Sequence, residues 1–165
     1  MSNLSLRFVR WGAVLLLFGL WTGYGPLAHY LHGGVHASCP WAPVHAHVVL
    51  LGWVGLTLFG LVYRRLPDWG TVDRRSLALA RIHFVLSVTS VAGVFANGII
   101  GYRVLDRLAP GFYYEPKKAT LNLWLSIDGW FLTGFALGCV LFLIVVFRST
   151  RYERNGAEPV RRVAG

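Results

Sequence analysis

The chain has 165 residues, of which 55% are hydrophobic and only 14% charged, with a formal net charge of +9, and its mean hydropathy is positive. That balance excludes a disordered polypeptide, and the length suits one compact unit. A basic surplus can signal nucleic-acid binding, but here the arginines gather at the ends of apolar runs, so nucleic acid is not an expected partner.

In chain order, Arg7 and Arg10 introduce the first apolar run, Trp11 to Ala28, which holds no charged residue. A short basic segment before an apolar run also describes a signal peptide. This run is longer than a typical signal core and lacks a clean small-x-small cleavage site, so it is predicted to remain as a helix, about residues 8–28. Beyond it come His29, His32, His36 and Cys39. The second run, His45 to Tyr63, is interrupted only by its two opening histidines and predicts a helix over about 45–65. Arg64, Arg65, Arg74 and Arg75 fill the following turn. The third run, Ile82 to Tyr102, contains only His83 and predicts a helix over about 77–102. Arg103, Arg107, Lys117 and Lys118 stand in the next loop. The fourth, Ala119 to Phe147, contains only Asp128 and predicts a helix over about 119–147. Arg148, Arg151, Arg154, Arg161 and Arg162 follow it.

Each run meets the roughly 18–20 residues a spanning helix needs. The expected fold is therefore all-α and integral to a membrane: a bundle of four transmembrane helices forming a single domain over residues 1–165, with the lipid bilayer as its first partner. No linker or internal repeat divides it. Most arginines fall on one side of the four runs, which by the positive-inside rule places both termini in the cytoplasm. The expected location is the inner, cytoplasmic membrane of a prokaryote, crossed several times. The two cysteines, Cys39 in the outer loop and Cys139 deep in helix four, are not expected to pair, and no C-x-x-C-H motif offers covalent haem attachment.

Topology gives each histidine a depth. His29, His32, His36, His45 and His47 gather at the outer face. The hairpin between helices two and three turns near residue 71, so His83 comes level with about residue 59, on the order of 18 Å deeper than His47. A single haem clamped by His47 and His83 is therefore not expected, and His83 reads as a histidine hydrogen-bonded inside the bundle. His45 and His47 are two residues apart, so on a helix they point about 200° apart around the axis. Three readings stay open: an unwound first turn after Pro43 lets the pair chelate one ion, each serves a different ligand, or both cap the helix and meet water. Asp128 enters helix four by about one and a half turns, near the depth of the pair. It orients an imidazole, relays protons, or pairs with a nearby Trp or Tyr. Trp41, Trp53, Trp124 and Trp130 fit an outer aromatic belt. The small-xxx-small segments "GLWTG" and "GFALG" suit close helix packing, within the bundle or between copies.

The stretch "HAHVVLLGWVGLTLFGLVYRRLP", followed by "LARIHF" at the start of the next span, resembles the third four-helix quarter of haem–copper oxidase subunit I. In that family a His-x-His pair opens a helix, a proline closes the span, and a Lys-Ile-His-Phe-like segment starts the next. Here these are His45 and His47, then Pro67, then Arg81, Ile82, His83 and Phe84. "LNLWLSIDGW" resembles the opening of the family's last helix, and the likeness covers about residues 15–147. The resemblance implies His45 as ligand of a high-spin-type haem b and His47 as ligand of a low-spin-type haem on the opposite flank. It also implies Arg103 and Arg107 as partners of haem propionates, although the family's adjacent arginine pair is not kept. The family's subunit I is three such arcs around a pseudo-threefold axis, so a lone arc implies a homotrimer or another homo-oligomer. Four helices lack the remaining ligands of a haem–copper centre, so one copy is not expected to reduce oxygen alone.

The expected function is a membrane haem b protein for electron transfer or for binding a diatomic gas such as O2 or NO. An enzyme reading is an oxidoreductase, working as an oligomer or with partners, that draws electrons from a quinol or cytochrome. The alternative is a copper- or zinc-binding protein that uses the outer-face set His29, His32, His36, His45 and His47 with Cys39, since imidazole and thiolate suit both metals.

Overall fold

The computed structural model describes residues 2–31, 41–66, 74–108 and 115–163, and the side chains of 3–24, 44–66, 74–101 and 122–149. These residues form helices with no strand among them: α1 (Ser2–Leu31), α2 (Trp41–His47), a π segment (Val48–Gly55), α3 (Leu56–Arg65), α4 (Arg74–Leu108) and α5 (Glu115–Val163). The backbone stays helical from α2 through the π segment into α3, so the molecule consists of four rods. Each contains a stretch long and apolar enough to cross a membrane: Asn3–Tyr24, Val44–Arg65, Arg74–Gly101 and Asn122–Ser149.

Every rod outruns the apolar run that marks it. Hydropathy sees only the part suited to hydrocarbon, whereas the hydrogen-bond ladder continues as long as the residues tolerate helix. α1 accordingly carries His29 in its last turn, and α4 carries Arg103 and Arg107 on helical backbone where a loop is expected. The second rod ends for a covalent reason. Leu66 precedes Pro67, whose ring disfavours helical backbone in the residue before it, and Leu66 adopts φ −66°, ψ 143°.

The rods alternate in direction. α1 runs antiparallel to the second rod, because Gly12 faces Thr57 and Gly23 faces His45. The second rod opposes α4, with Val44 against Gly98 and Phe59 against His83. α4 and α5 form the most extensive pair, with Gly101 under Trp124 and Gly138 against Ser87. Both small-xxx-small segments are spent inside the bundle: Gly19 and Gly23 admit the second rod, and Gly134 and Gly138 admit α4. Glycine lets backbones approach, so van der Waals packing can hold helices where lipid supplies no hydrophobic drive.

On α4, Ser76, Ala80, His83, Ser87, Ser90, Val94, Asn97 and Gly101 are all buried. Their spacing alternates four and three, the period of a coiled-coil seam, and several of these seam positions are polar. The outward surface is the reverse. Leu17, Trp130 and Phe147 are 68%, 77% and 69% exposed, an apolar exterior suited to lipid rather than water.

Candidate functional site

His45 and His47 leave the second rod in opposite directions. His45 turns to α1, where its Nδ1 lies 2.7 Å from the carbonyl oxygen of Gly19. A carbonyl only accepts, so Nδ1 carries the proton and donates it, and in the tautomer with a single ring proton the lone pair is on Nε2. The ring packs against Gly23: a Cβ there would sit 2.6 Å from Cε1, 2.8 Å from Nδ1 and 3.3 Å from Nε2 of His45. The Gly19 carbonyl also accepts the Thr22 hydroxyl at 2.9 Å. The imidazole is thus held by one hydrogen bond and one close contact, both supplied by the glycine stripe of α1.

His47 turns to α4 and α5. It lines an apolar crevice with Leu51, Ser90, Val94 and Phe131 among its walls. The crevice is closed, with a volume of about 0 Å³ for a water-sized molecule, against the roughly 300–1,000 Å³ typical of ligand pockets. A porphyrin does not fit between His47 and the α4–α5 pair as they are packed. Asp128 on α5 is close enough for electrostatic interaction with His47. Its Oδ1 accepts a 2.7 Å hydrogen bond from Asn97 Nδ2, which also donates to the Trp124 carbonyl at 3.1 Å. Among the described residues, the side chain that hydrogen-bonds to Asp128 is Asn97.

His83 belongs to a separate centre. It is fully buried, and its Nδ1 lies 2.9 Å from the Tyr63 hydroxyl. The rings of Phe59, Phe8 and Phe142 surround it at centroid distances of 4.6, 5.1 and 5.5 Å. The contact with Phe59 matches the depth read from the hairpin, far from His47.

The described set has limits that bear on the expected ligands. The side chains of His29, Arg103 and Arg107, and the whole of His32, His36 and Cys39, lie outside it. Among the described residues, no three His, Cys, Asp or Glu side chains converge on a metal position, and Cys139 is unpaired. The sequence reading missed Asn97, Tyr63 and Gly23. A signal for two of them is present: Asn97 repeats at fourteen residues from His83 on the α4 seam, and Gly23 closes the "GLWTG" segment.

No family model, no curated protein and no solved structure matches the chain. The likeness to haem–copper oxidase subunit I accordingly rests on the quoted segments alone.

Proposed function

We propose that the chain is a membrane haem b protein serving electron transfer or diatomic-gas binding, with His45 offering Nε2 to the iron. The observation that carries this reading is the 2.7 Å contact between His45 Nδ1 and the Gly19 carbonyl. A metal-bound histidine commonly donates its other ring N–H to a carbonyl or carboxylate, which fixes tautomer and orientation and raises ligand basicity. His45 has that arrangement ready-made, and the quoted resemblance assigns the same residue a haem. Bound haem supplies a one-electron couple and, where a coordination position stays open, a site for a gas. The chain's own part is to hold the imidazole rigid and to keep the surroundings apolar.

His47 is the second ligand in this reading, and Asp128 with Asn97 sets its electrostatic surroundings. Ligation there requires the crevice to widen, either by parting of α4 and α5 or on assembly with other copies. A homotrimer, the arrangement that the resemblance implies, brings the flanks of neighbouring copies together. Arg103 and Arg107 are proposed partners of the propionates. The protein sits in the inner membrane of a prokaryote with both termini in the cytoplasm, and exchanges electrons with a quinol or cytochrome. Any oxidoreductase activity belongs to the oligomer.

The copper or zinc reading draws on the same free Nε2, since imidazole suits both metals. It needs three or four converging ligands, and His29, His32, His36 and Cys39, which it would draw on, lie outside the described side chains. Haem needs one or two. Purification decides: a red protein with a reduced-minus-oxidised haem b spectrum supports the proposal. A colourless protein with stoichiometric copper or zinc overturns it.

A further inference from the structure

The second rod ends in a surface that the bundle leaves uncovered. Along α3, Gly60 packs on α1, while Tyr63 and Leu66 turn into the core. Leu58, Leu61, Val62, Arg64 and Arg65 are exposed. Around the helix axis Arg64 lies about 60° to one side of Leu61 and Arg65 about 40° to the other. The two arginines therefore flank one apolar strip. A cleft of about 640 Å³ opens against Leu61, Val62, Arg64, Arg65 and Leu66, where the backbone leaves the helix at Leu66. That volume is within the range of ligand pockets, whereas the crevice beside His47 is closed.

The charge around the cleft is of one sign. Arg7, Arg10, Arg74 and Arg148 stand at the same end of the bundle and are exposed. Asp128 is the one carboxylate among the described side chains. It belongs to the opposite end, beside His47, so Arg64 and Arg65 have no carboxylate partner among the described residues. We propose that this cleft binds one anionic phospholipid, its phosphodiester between Arg64 and Arg65 and an acyl chain along Leu58, Leu61 and Val62.

The occupant follows from two chemistries that meet at one depth. Where an apolar span gives way to arginine, a bilayer gives way to its headgroups. Guanidinium forks match the oxygens of a phosphate in both geometry and charge, and their stems can lie along apolar surface while the heads stay at the interface. The carbonyl end of α3 offers an anion no donor and a negative potential, so the two arginines must hold the phosphate themselves. A free phosphate satisfies them but leaves the leucine strip bare. A zwitterionic lipid covers the strip but brings an ammonium into wholly basic surroundings. An anionic lipid meets both demands, as basic sites at span ends commonly do. The site is independent of the haem reading and of which end faces the cytoplasm.

The test is native mass spectrometry of the full chain released from detergent, paired with thermal unfolding, using phosphatidylglycerol as the probe. Phosphatidylcholine with the same acyl chains and inorganic phosphate are the comparisons. The expected result is one phosphatidylglycerol retained per chain, with an unfolding midpoint raised by that lipid and by neither comparison. Replacing both arginines, Arg64→Gln with Arg65→Gln, should cut retention about tenfold, the scale of a hydrogen bond to a charged group. Arg148→Gln, at the same end but on α5, should keep it. If the double variant does not fold, Arg65→Gln alone decides, with a smaller loss expected. Equal retention of the two lipids, equal loss in Arg148→Gln, or the full effect from inorganic phosphate overturns the inference. So does an oligomer that disappears in the double variant while lipid retention stays unchanged, which would make the cleft a contact between copies.

Discussion

The His45 ring is fixed from two sides, and the two are separable by mutation. The Gly19 carbonyl sets its tautomer, while the missing side chain at Gly23 sets where the ring can lie. Gly23→Ala should therefore turn the ring without touching a ligating atom. Loss of an outer partner of a metal-bound histidine costs about 10–100-fold in affinity. We expect a haem titration of Gly23→Ala to show weakening in that range, with the helix content unchanged. Unchanged affinity would show that the ring's seating against α1 is irrelevant to haem. His83 makes the contrasting case. It is remote, packed among aromatics and bonded to Tyr63, so His83→Ala should keep the haem spectrum. It should lower stability by about 1–3 kcal/mol, the cost of leaving a buried group unsatisfied, as read by denaturant titration in detergent. Bleaching of the haem by His83→Ala would reverse the division of roles. The opposed directions of His45 and His47 were legible because helix geometry alone sets them. The acceptor of His45 was not, since a backbone carbonyl carries no residue-specific mark in sequence.

At the level of elements, the π segment directly follows the histidine pair. In a π-helix i→i+5 bonds replace i→i+4, and such segments often mark functional sites. Nothing in "VVLLGWVG" announces it by hydropathy, because the run is apolar on every face. Its glycines permit the close approach that accompanies it: a Cβ on Gly52 would lie 3.0 Å from Leu15 Cβ and 3.0 Å from Val91 Cγ1. One residue of register turns a helix by about 100°, so the segment sets how α2 is aimed relative to α3. Deleting Leu50, which is 60% exposed and faces outward, should let ordinary helix form through the segment. With α3 held by its own contacts, such as the 2.9 Å bond from Ser5 Oγ to the Gly60 carbonyl, His45 then swings away from Gly19. The expected outcome is a folded protein by circular dichroism with haem binding lost; normal haem stoichiometry in the deletion would show that the π register does not aim the pair. The α4 seam, by contrast, was written in sequence as Ser76, His83, Ser87, Ser90 and Asn97 at heptad-related spacings. It went unread because the third run was judged by its lack of charge, a measure blind to serine and asparagine.

For the whole molecule, the alternation of the four rods sorts the charges by end. Ser5 meets Gly60, and His83 lies near Gly138, so the start of α1, the end of α3, the start of α4 and the latter part of α5's span share one end. To that end belong Arg7, Arg10, Arg64, Arg65, Arg74, Arg75 and Arg148. The number of spans was legible because a run of about 20 apolar residues suffices to identify a crossing segment. Their neighbours were not, because pairing depends on where glycines let helices approach. Arginine and lysine near span ends are retained on the cytoplasmic side during insertion, so the arginine-rich end should face the cytoplasm. Cys39 falls between the first two rods in sequence, while Cys139 lies within the span of α5. In a Cys139→Ser background, a membrane-impermeant maleimide added to intact cells should label Cys39, and a reporter fused after Gly165 should be active only in the cytoplasm. The site carries the same consequence, because His45 and His47 sit at the end opposite the arginines. A redox partner or gas should then reach them from the outer face, and an impermeant reductant added outside should reduce the haem in sealed right-side-out vesicles. Labelling of Cys39 only after permeabilisation would turn the molecule over and move the histidine pair to the cytoplasmic side.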